Sequence, residues 1–228
     1  MNGPRPFSEQ VEWLEGDTPL SARFGESYYS TGGGLEESRH VFLQGNGLPA
    51  RFKPGFLIAE LGFGTGLNML AALECWRDSK TAGALRYYGF ERYPLSAESI
   101  SRALENFPSV HAIAAPFLNA WSSGATSFAA PGIEAEIVLG DARQTLPPWQ
   151  GRADAWFLDG FSPGRNPELW ETELLSRLAE KTRAGGTFAT YSAAGKVRRG
   201  LAAAGFEVRR ERGFGRKRHM LAGRRASV

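Results

Sequence analysis

Three glycines separated by single residues, Gly62, Gly64 and Gly66, stand in ELGFGTGLN between the apolar run GFLIAE and the helix-forming stretch MLAALECW. A strand that runs into such glycines and leaves as a helix is the layout that grips nucleotide-type cofactors. Glycine tolerates the tight turn and lets the main chain approach a ligand where any Cβ would intrude. The dinucleotide pattern G-x-G-x-x-G would need glycine at position 67, where Leu67 stands, and the Gly-Lys-Ser/Thr of a P-loop is missing. What is left, the acid Glu60 followed by G-x-G-x-G, is the usual loop for S-adenosylmethionine, with Thr65 and Asn68 as further contacts in the same stretch. A purely structural turn is the alternative.

In an open parallel sheet, ligands sit at the carboxyl ends of strands, near the point where strand order reverses, so acids at strand ends carry the next information. Glu91 closes the expected second strand and can accept hydrogen bonds from both hydroxyls of a ribose. Asp141, in LGDAR, is placed to meet an adenine edge, or else caps a helix or turn. Asp159, in FLDGFSPGRNPELW, would emerge beside the transferable methyl group. Methyl transfer is an in-line displacement, and a neutral amine must aim its lone pair at the sulfonium carbon. A carboxylate at Asp159 can hold the amine by its N–H groups and stabilise the charge that develops on nitrogen. Phe161 is a candidate stacking wall, with plain core packing as its alternative.

The elements that must position these residues alternate. Strand candidates are 56–61, 85–91, 135–140, 153–159 and 186–192, followed by FEVRRER and RHMLAG, with helices at 67–76, 96–106 and 168–182 among them. Such alternation implies a mostly parallel sheet covered by helices on both faces. The short glycine-containing link in FEVRRERGFGRKRHMLAG makes the last two strands an antiparallel hairpin at or near one edge. Residues 1–52 read as an irregular extension with one helical stretch, Leu35 to Leu43, packed on a core domain of 53–228, and residues 122–132 read as a loop insertion.

With 228 residues, 42% hydrophobic, the chain can close one substantial core and not comfortably two. No run of about 18 apolar residues and no signal-like start occurs, so a cytoplasmic protein with no membrane span is expected. One cysteine, Cys75, excludes a disulfide framework and reads as an inert buried thiol, and three scattered histidines give no metal spacing. Net charge is +3, yet residues 184–228 hold eleven Lys and Arg against Glu207 and Glu211, a balance of +9. That asymmetry suggests a polyanion-binding face, with a plain solvated surface as the alternative. Arg198, Arg199, Arg216, Lys217 and Arg218 are the candidate contacts, Arg216 and Lys217 lying at the expected hairpin tip.

Taken together, YYSTGGGLEESRHVFLQGN, ELGFGTGLN, FLDGFSPGRNPELW and GFGRKRHMLAG resemble the methyltransferase domain of the bacterial enzymes that make 5-methylaminomethyl-2-thiouridine at the tRNA wobble position, the MnmC or MnmD family. The resemblance runs from about Tyr28 to the C-terminus. It implies a class I, Rossmann-like α/β fold with a seven-stranded, mostly parallel sheet, and transfer of a methyl group from S-adenosylmethionine to the aminomethyl group on C5 of the wobble uridine of tRNA. By it, Glu60, Gly62, Gly64, Gly66, Glu91 and Asp141 fall on the cofactor pocket and Asp159 on the methyl-acceptor side. In many bacteria this domain is fused to a flavin-dependent oxidase, a second glycine fingerprint that this chain does not contain. Two other readings stay open: a methyltransferase of a small amine, and a non-catalytic nucleic-acid-binding module with a vestigial pocket.

Overall fold

The computed structural model describes residues 9–226. It begins with a small antiparallel hairpin, β1 (Val11–Leu14) and β2 (Thr18–Ser21), whose link holds Asp17 at a φ of 50°. Arg102 reaches across to Asp17 Oδ1 at 2.5 Å. A helical run follows, made of α1 (Gly34–Glu37), a π-helical segment Ser38–Leu43 and a 3-10 turn Gln44–Asn46. The expected helix at 35–43 is therefore present in outline, though wound mostly as a π-helix.

Strands and helices then alternate: β3 (Leu57–Leu61), α2 (Leu67–Ser79), β4 (Leu85–Glu91), α3 (Ala97–Leu104), α4 (Pro108–His111) and α5 (Ala115–Ser122). Next come β5 (Ser127–Ala130), β6 (Ile133–Leu139), α6 (Ala142–Thr145), β7 (Ala153–Leu158), α7 (Thr172–Glu180), β8 (Thr182–Thr190) and α8 (Gly195–Ala203). The chain returns through β9 (Phe206–Arg212) and β10 (His219–Arg225). Local chemistry explains several of these boundaries. Ser96 accepts a hydrogen bond from Ser99 N at 3.1 Å and so caps α3. The buried Ile100, Ala103 and Leu104 recur at helical spacing along it. Every residue of β3 and β7 is buried, as the central strands of a parallel sheet covered on both faces require.

The main sheet has eight strands in the order β5-β6-β4-β3-β7-β8-β10-β9. The five from β6 to β8 are parallel, and β5, β10 and β9 are antiparallel to their neighbours. The C-terminal hairpin lies at one edge as expected, with β10 inserted between β8 and β9. A seven-stranded sheet is corrected to eight. The extra strand comes from residues 122–132, expected as a loop insertion: Ser127–Ala130 pairs with Glu136–Ile133 and covers what would be an open edge of β6. Two apolar clusters fill the two faces. Residues of β1, the helical run and α2 to α5 lie on one side, and those of α6, α7 and α8 on the other.

Strand order reverses between β3 and β7. Leu61 O accepts from Asp159 N at 2.9 Å and Phe90 O from Gly62 N at 3.0 Å, so pairing continues just past the strand ends and holds three loops in contact. That contact sets up the site.

Candidate active site

A cavity of about 800 Å³ opens at the carboxyl ends of β3, β4, β6, β7 and β8, a size that suits a small-molecule cofactor with room to spare. Residues 23–38 and Lys217 form its other walls. The glycine loop is its floor. Gly62, at a φ of 82°, packs so tightly on β7 that a Cβ there would stand 2.3 Å from the main-chain oxygen of Asp159. Gly64, at a φ of 56°, donates its N–H to Glu91 Oε2 at 3.0 Å. Tyr93 N donates to Glu91 Oε1 at 2.6 Å. Burial pushes the Glu91 carboxyl above its ordinary range, while these N–H groups pull the other way. A carboxylate with two oxygens in the lining has the acceptor capacity that two ribose hydroxyls require.

Not every expected cofactor contact reaches the cavity. Gly62, Gly64, Thr65, Asn68, Glu91 and Asp141 line it. Gly66 does not: its φ of 76° starts α2, and its α-carbon faces the rings of Phe63 and Phe117. Glu60 is corrected as well. It is 0% exposed, with Oε1 accepting from Asn68 Nδ2 at 2.7 Å and Oε2 meeting the Tyr87 hydroxyl at 2.7 Å. A carboxyl that enters the core behind Asn68 cannot touch a ligand in the cavity. Asp141 caps α6 by accepting from Arg143 N, and it pairs with Arg143 at 2.6 Å and Arg92 at 2.9 Å while lining the wall. Those partners hold its carboxyl below its ordinary range.

On the opposite wall stands Asp159, whose Oδ2 accepts from Asn68 Nδ2 at 2.6 Å. Its carboxyl is pushed up to about 7, chiefly by burial and in small part by Glu37, against the opposing pull of Asn68 and Lys217. The turn that follows is held from three directions. Gly160 O accepts from the Tyr191 hydroxyl at 2.8 Å, Phe161 O accepts from Trp170 Nε1 at 2.8 Å, and Ser162 donates to Glu26 through its N–H and hydroxyl. Phe161 lines the cavity, stacked on Phe24 with ring centroids 4.7 Å apart and edge-on to Tyr28 at 5.2 Å.

The basic residues divide. Arg198 and Arg199 on α8 and Arg216 and Arg218 in the loop before β10 are exposed and do not line the cavity. Lys217 is exposed like them but also lines the cavity. Its Nζ lies 2.6 Å from Glu37 Oε1 and 4.2 Å from the centre of the Tyr191 ring. The same loop is tied to the N-terminal helical run, with Phe214 against Gly33 and His40 Nε2 2.9 Å from Arg212 O.

Glu26, Glu37, Tyr191 and Arg165 are among the wall residues absent from the sequence-based set. Tyr191 sits just past the end of β8, so the strand-end rule that selects Asp159 would also have selected it. Glu37 and Lys217 are 180 residues apart and only the fold brings them together. Cys75 is half-buried rather than fully buried, and burial pushes its thiol up to about 11. Among the described residues there is no cluster of His, Cys, Asp and Glu able to hold a metal, and no helix long and apolar enough to cross a membrane.

The arrangement has counterparts. Residues 108–226 match the model of a family described as S-adenosyl-L-methionine-dependent methyltransferase. A protein of Aeromonas hydrophila named tRNA 5-methylaminomethyl-2-thiouridine biosynthesis bifunctional protein MnmC is 42% identical over 95% of this chain, and the match covers 35% of that protein. Its namesake in Caulobacter vibrioides is also 42% identical over 95% of the chain, covering 38% of its own length. The chain thus spans little more than a third of these relatives. A crystal structure of MNMC2 from Aquifex aeolicus superposes with a TM-score of 0.75 at 25% identity, covering 96% of this chain and 71% of that one. With the glycine loop, the Glu91 acceptor and the strand-end cavity in place, these matches establish that the chain belongs to the S-adenosyl-L-methionine-dependent methyltransferases.

Proposed function

We propose that the chain is an N-methyltransferase acting on the 5-aminomethyl group of (2-thio)uridine at the wobble position of tRNA. The observation that carries this reading is the placement of Asp159 across one cavity from Glu91, with an aromatic wall at Phe161 and the basic Arg165 and Lys217 in the same lining. When bound, S-adenosylmethionine supplies a methyl group on a positively charged sulfur. The main chain of Gly62 to Thr65 and the Glu91 carboxylate would hold its adenosine side, with Asp141 toward the base. Asp159 would orient the acceptor amine through its N–H groups and balance the charge that appears on nitrogen. Phe161 and Tyr28 would wall off the acceptor and limit water.

The relatives are named bifunctional and this chain spans about a third of them. We assign the other activity, read from the family as a flavin-dependent oxidase, to a segment or protein outside these residues. On this reading residues 1–52 are an extension of the catalytic core, 53–228, and the protein works in the cytoplasm, where tRNA is modified. The deciding assay supplies labelled S-adenosylmethionine with undermodified tRNA. Label entering the wobble uridine supports the reading, label entering only free amines favours a small-molecule enzyme, and no transfer to either favours a binding module.

The surface arginines and Lys217 should separate in the same system. Arg198→Ala with Arg199→Ala, or Arg216→Ala, is expected to weaken tRNA binding and to lower the salt slope by about 0.7 to 0.9 for each phosphate that is no longer neutralised. Lys217→Ala should leave that slope alone and reduce turnover, because its ammonium is paired with Glu37 inside the site. A slope changed by Lys217→Ala and not by the arginine variants would reverse the assignment.

A further inference from the structure

The Asn68 side chain has one amide nitrogen and two carboxyl neighbours. Its Nδ2 lies 2.7 Å from Glu60 Oε1 and 2.6 Å from Asp159 Oδ2, so its two hydrogens are shared one to each acid. Glu60 is 0% exposed, and among the described residues no lysine or arginine pairs with it. Its remaining neighbour is the hydroxyl of Tyr87, itself fully buried. An ionised carboxylate in that place would be a buried charge without a counter-ion, within reach of a second carboxylate.

Two protonation patterns fit these contacts: an ionised Glu60 that accepts from the Tyr87 hydroxyl, and a neutral Glu60 whose own hydroxyl Oε2 turns to the Tyr87 oxygen. Only the neutral acid, its carbonyl Oε1 accepting one Asn68 hydrogen, leaves no unpaired charge in the core. The other Asn68 hydrogen then points at an ionised Asp159. We propose that Glu60 is a positioning residue for methyl transfer: held as a neutral carboxylic acid, it fixes the Asn68 amide so that Asn68 in turn fixes the acceptor-side oxygen of Asp159. This rests on the role given to Asp159 under the proposed function. The groups that face this chain are Tyr87 from β4 and Glu91 beyond it on the Glu60 side, and Glu37, Lys217 and Tyr191 around Asp159. Burial, reinforced by the neighbouring Asp159, favours the neutral form of Glu60.

This arrangement also explains why the acid before the glycine loop sits in the core rather than in the cavity. It acts on the far wall through α2, at one residue's remove from the ligand.

The test combines infrared difference spectroscopy of the full chain with kinetics. Subtracting the Glu60→Gln spectrum from that of the wild type at neutral pH should reveal a carboxylic-acid carbonyl band that belongs to Glu60; carboxylate bands in its place would overturn the neutral assignment. Glu60→Leu, which leaves one Asn68 hydrogen without an acceptor, should lower kcat by about 10²-fold, the scale of a misplaced reacting group, with affinity for S-adenosylmethionine nearly unchanged. Glu60→Gln can reproduce the neutral acid's pattern, carbonyl to Asn68 and N–H to Tyr87, and should restore most of that loss. Wild-type kcat in Glu60→Leu would end the positioning role. Should that variant not fold, the acid limb of the Glu60→Gln rate profile decides. A limb shifted to lower pH means that a negative charge next to Asp159 was removed, which contradicts the proposal, and an unmoved limb supports it. Failure of the Asp159 role itself shows separately, as an Asp159→Asn enzyme with undiminished turnover and an unchanged Glu60 band.

Discussion

Asp159→Asn should slow methyl transfer by about 10²-fold or more, the usual result of removing one preorganised polar group, while S-adenosylmethionine binds almost as before. The side chain is on the wall opposite Glu91, and asparagine can still accept from Asn68. What is lost is the negative charge that meets the alkylated nitrogen. Stability should move the other way. The Asp159 carboxyl is pushed from 3.8 up to about 7 by burial, so the folded state holds its proton more tightly than the unfolded chain does. The stabilisation from the protonated form is complete below about pH 4 and is lost as pH rises through about 7. Asparagine does not titrate, so the variant should melt above the wild type near pH 8, with the gap closing toward pH 4. Thermal scans at several pH values together with single-turnover rates check both halves. A variant that is slower and less stable at every pH would show that Asp159 is a structural cap.

Gly62→Ala should be more damaging than any other change in the glycine loop. Its Cβ would meet the Asp159 carbonyl oxygen at 2.3 Å, and that oxygen is main chain, which cannot swing aside. The φ of 82° adds backbone strain for any residue with a Cβ. The methyl group would wedge β3 from β7 where the cofactor floor and Asp159 meet, so cofactor binding and folding should fail together. A loss of at least about 2 kcal/mol in denaturant unfolding is expected, with no calorimetric heat of S-adenosylmethionine binding. Gly64→Ala, whose Cβ would stand 3.0 Å from the Tyr28 ring, should be milder because a side chain can give. Equal effects of the two would remove the main-chain contact as the cause.

Much of the fold was legible because parallel strands buried on both faces read as apolar runs closed by glycine or an acid. Leu57–Leu61 and Ala153–Leu158 were visible on that basis, and Leu85–Glu91 residue for residue from its β-forming aromatics ending in an acid. The four residues of β5, SFAA, alternate between exposed and half-buried and carry no apolar pattern of their own, so only pairing with β6 makes them a strand. Within the site, Glu91 and Asp159 could be located from sequence because each stands at a strand end. The direction in which Glu60 points could not. One residue before the loop, a strand side chain can face the ligand or the core, and what turns it inward is the Tyr87 hydroxyl on the adjacent strand together with Asn68 on the helix. The pairing of Lys217 with Glu37, 180 residues away in the chain, could not be read from its neighbours in sequence.

The last strand in the sheet order, β9, leaves one edge of the main sheet open to solvent. Phe206 is buried, while Glu207, Arg209, Arg210 and Arg212 project into water along that edge. An unpaired strand edge is a template on which a second copy can dock, and crowded like charges keep such copies apart. On that argument Arg209 and Arg210 are expected to act on solubility more than on recognition. Arg209→Thr with Arg210→Thr should leave tRNA affinity nearly unchanged and make the protein self-associate in sedimentation experiments. Added salt should bring the same tendency out in the wild type, by screening the repulsion between like-charged edges.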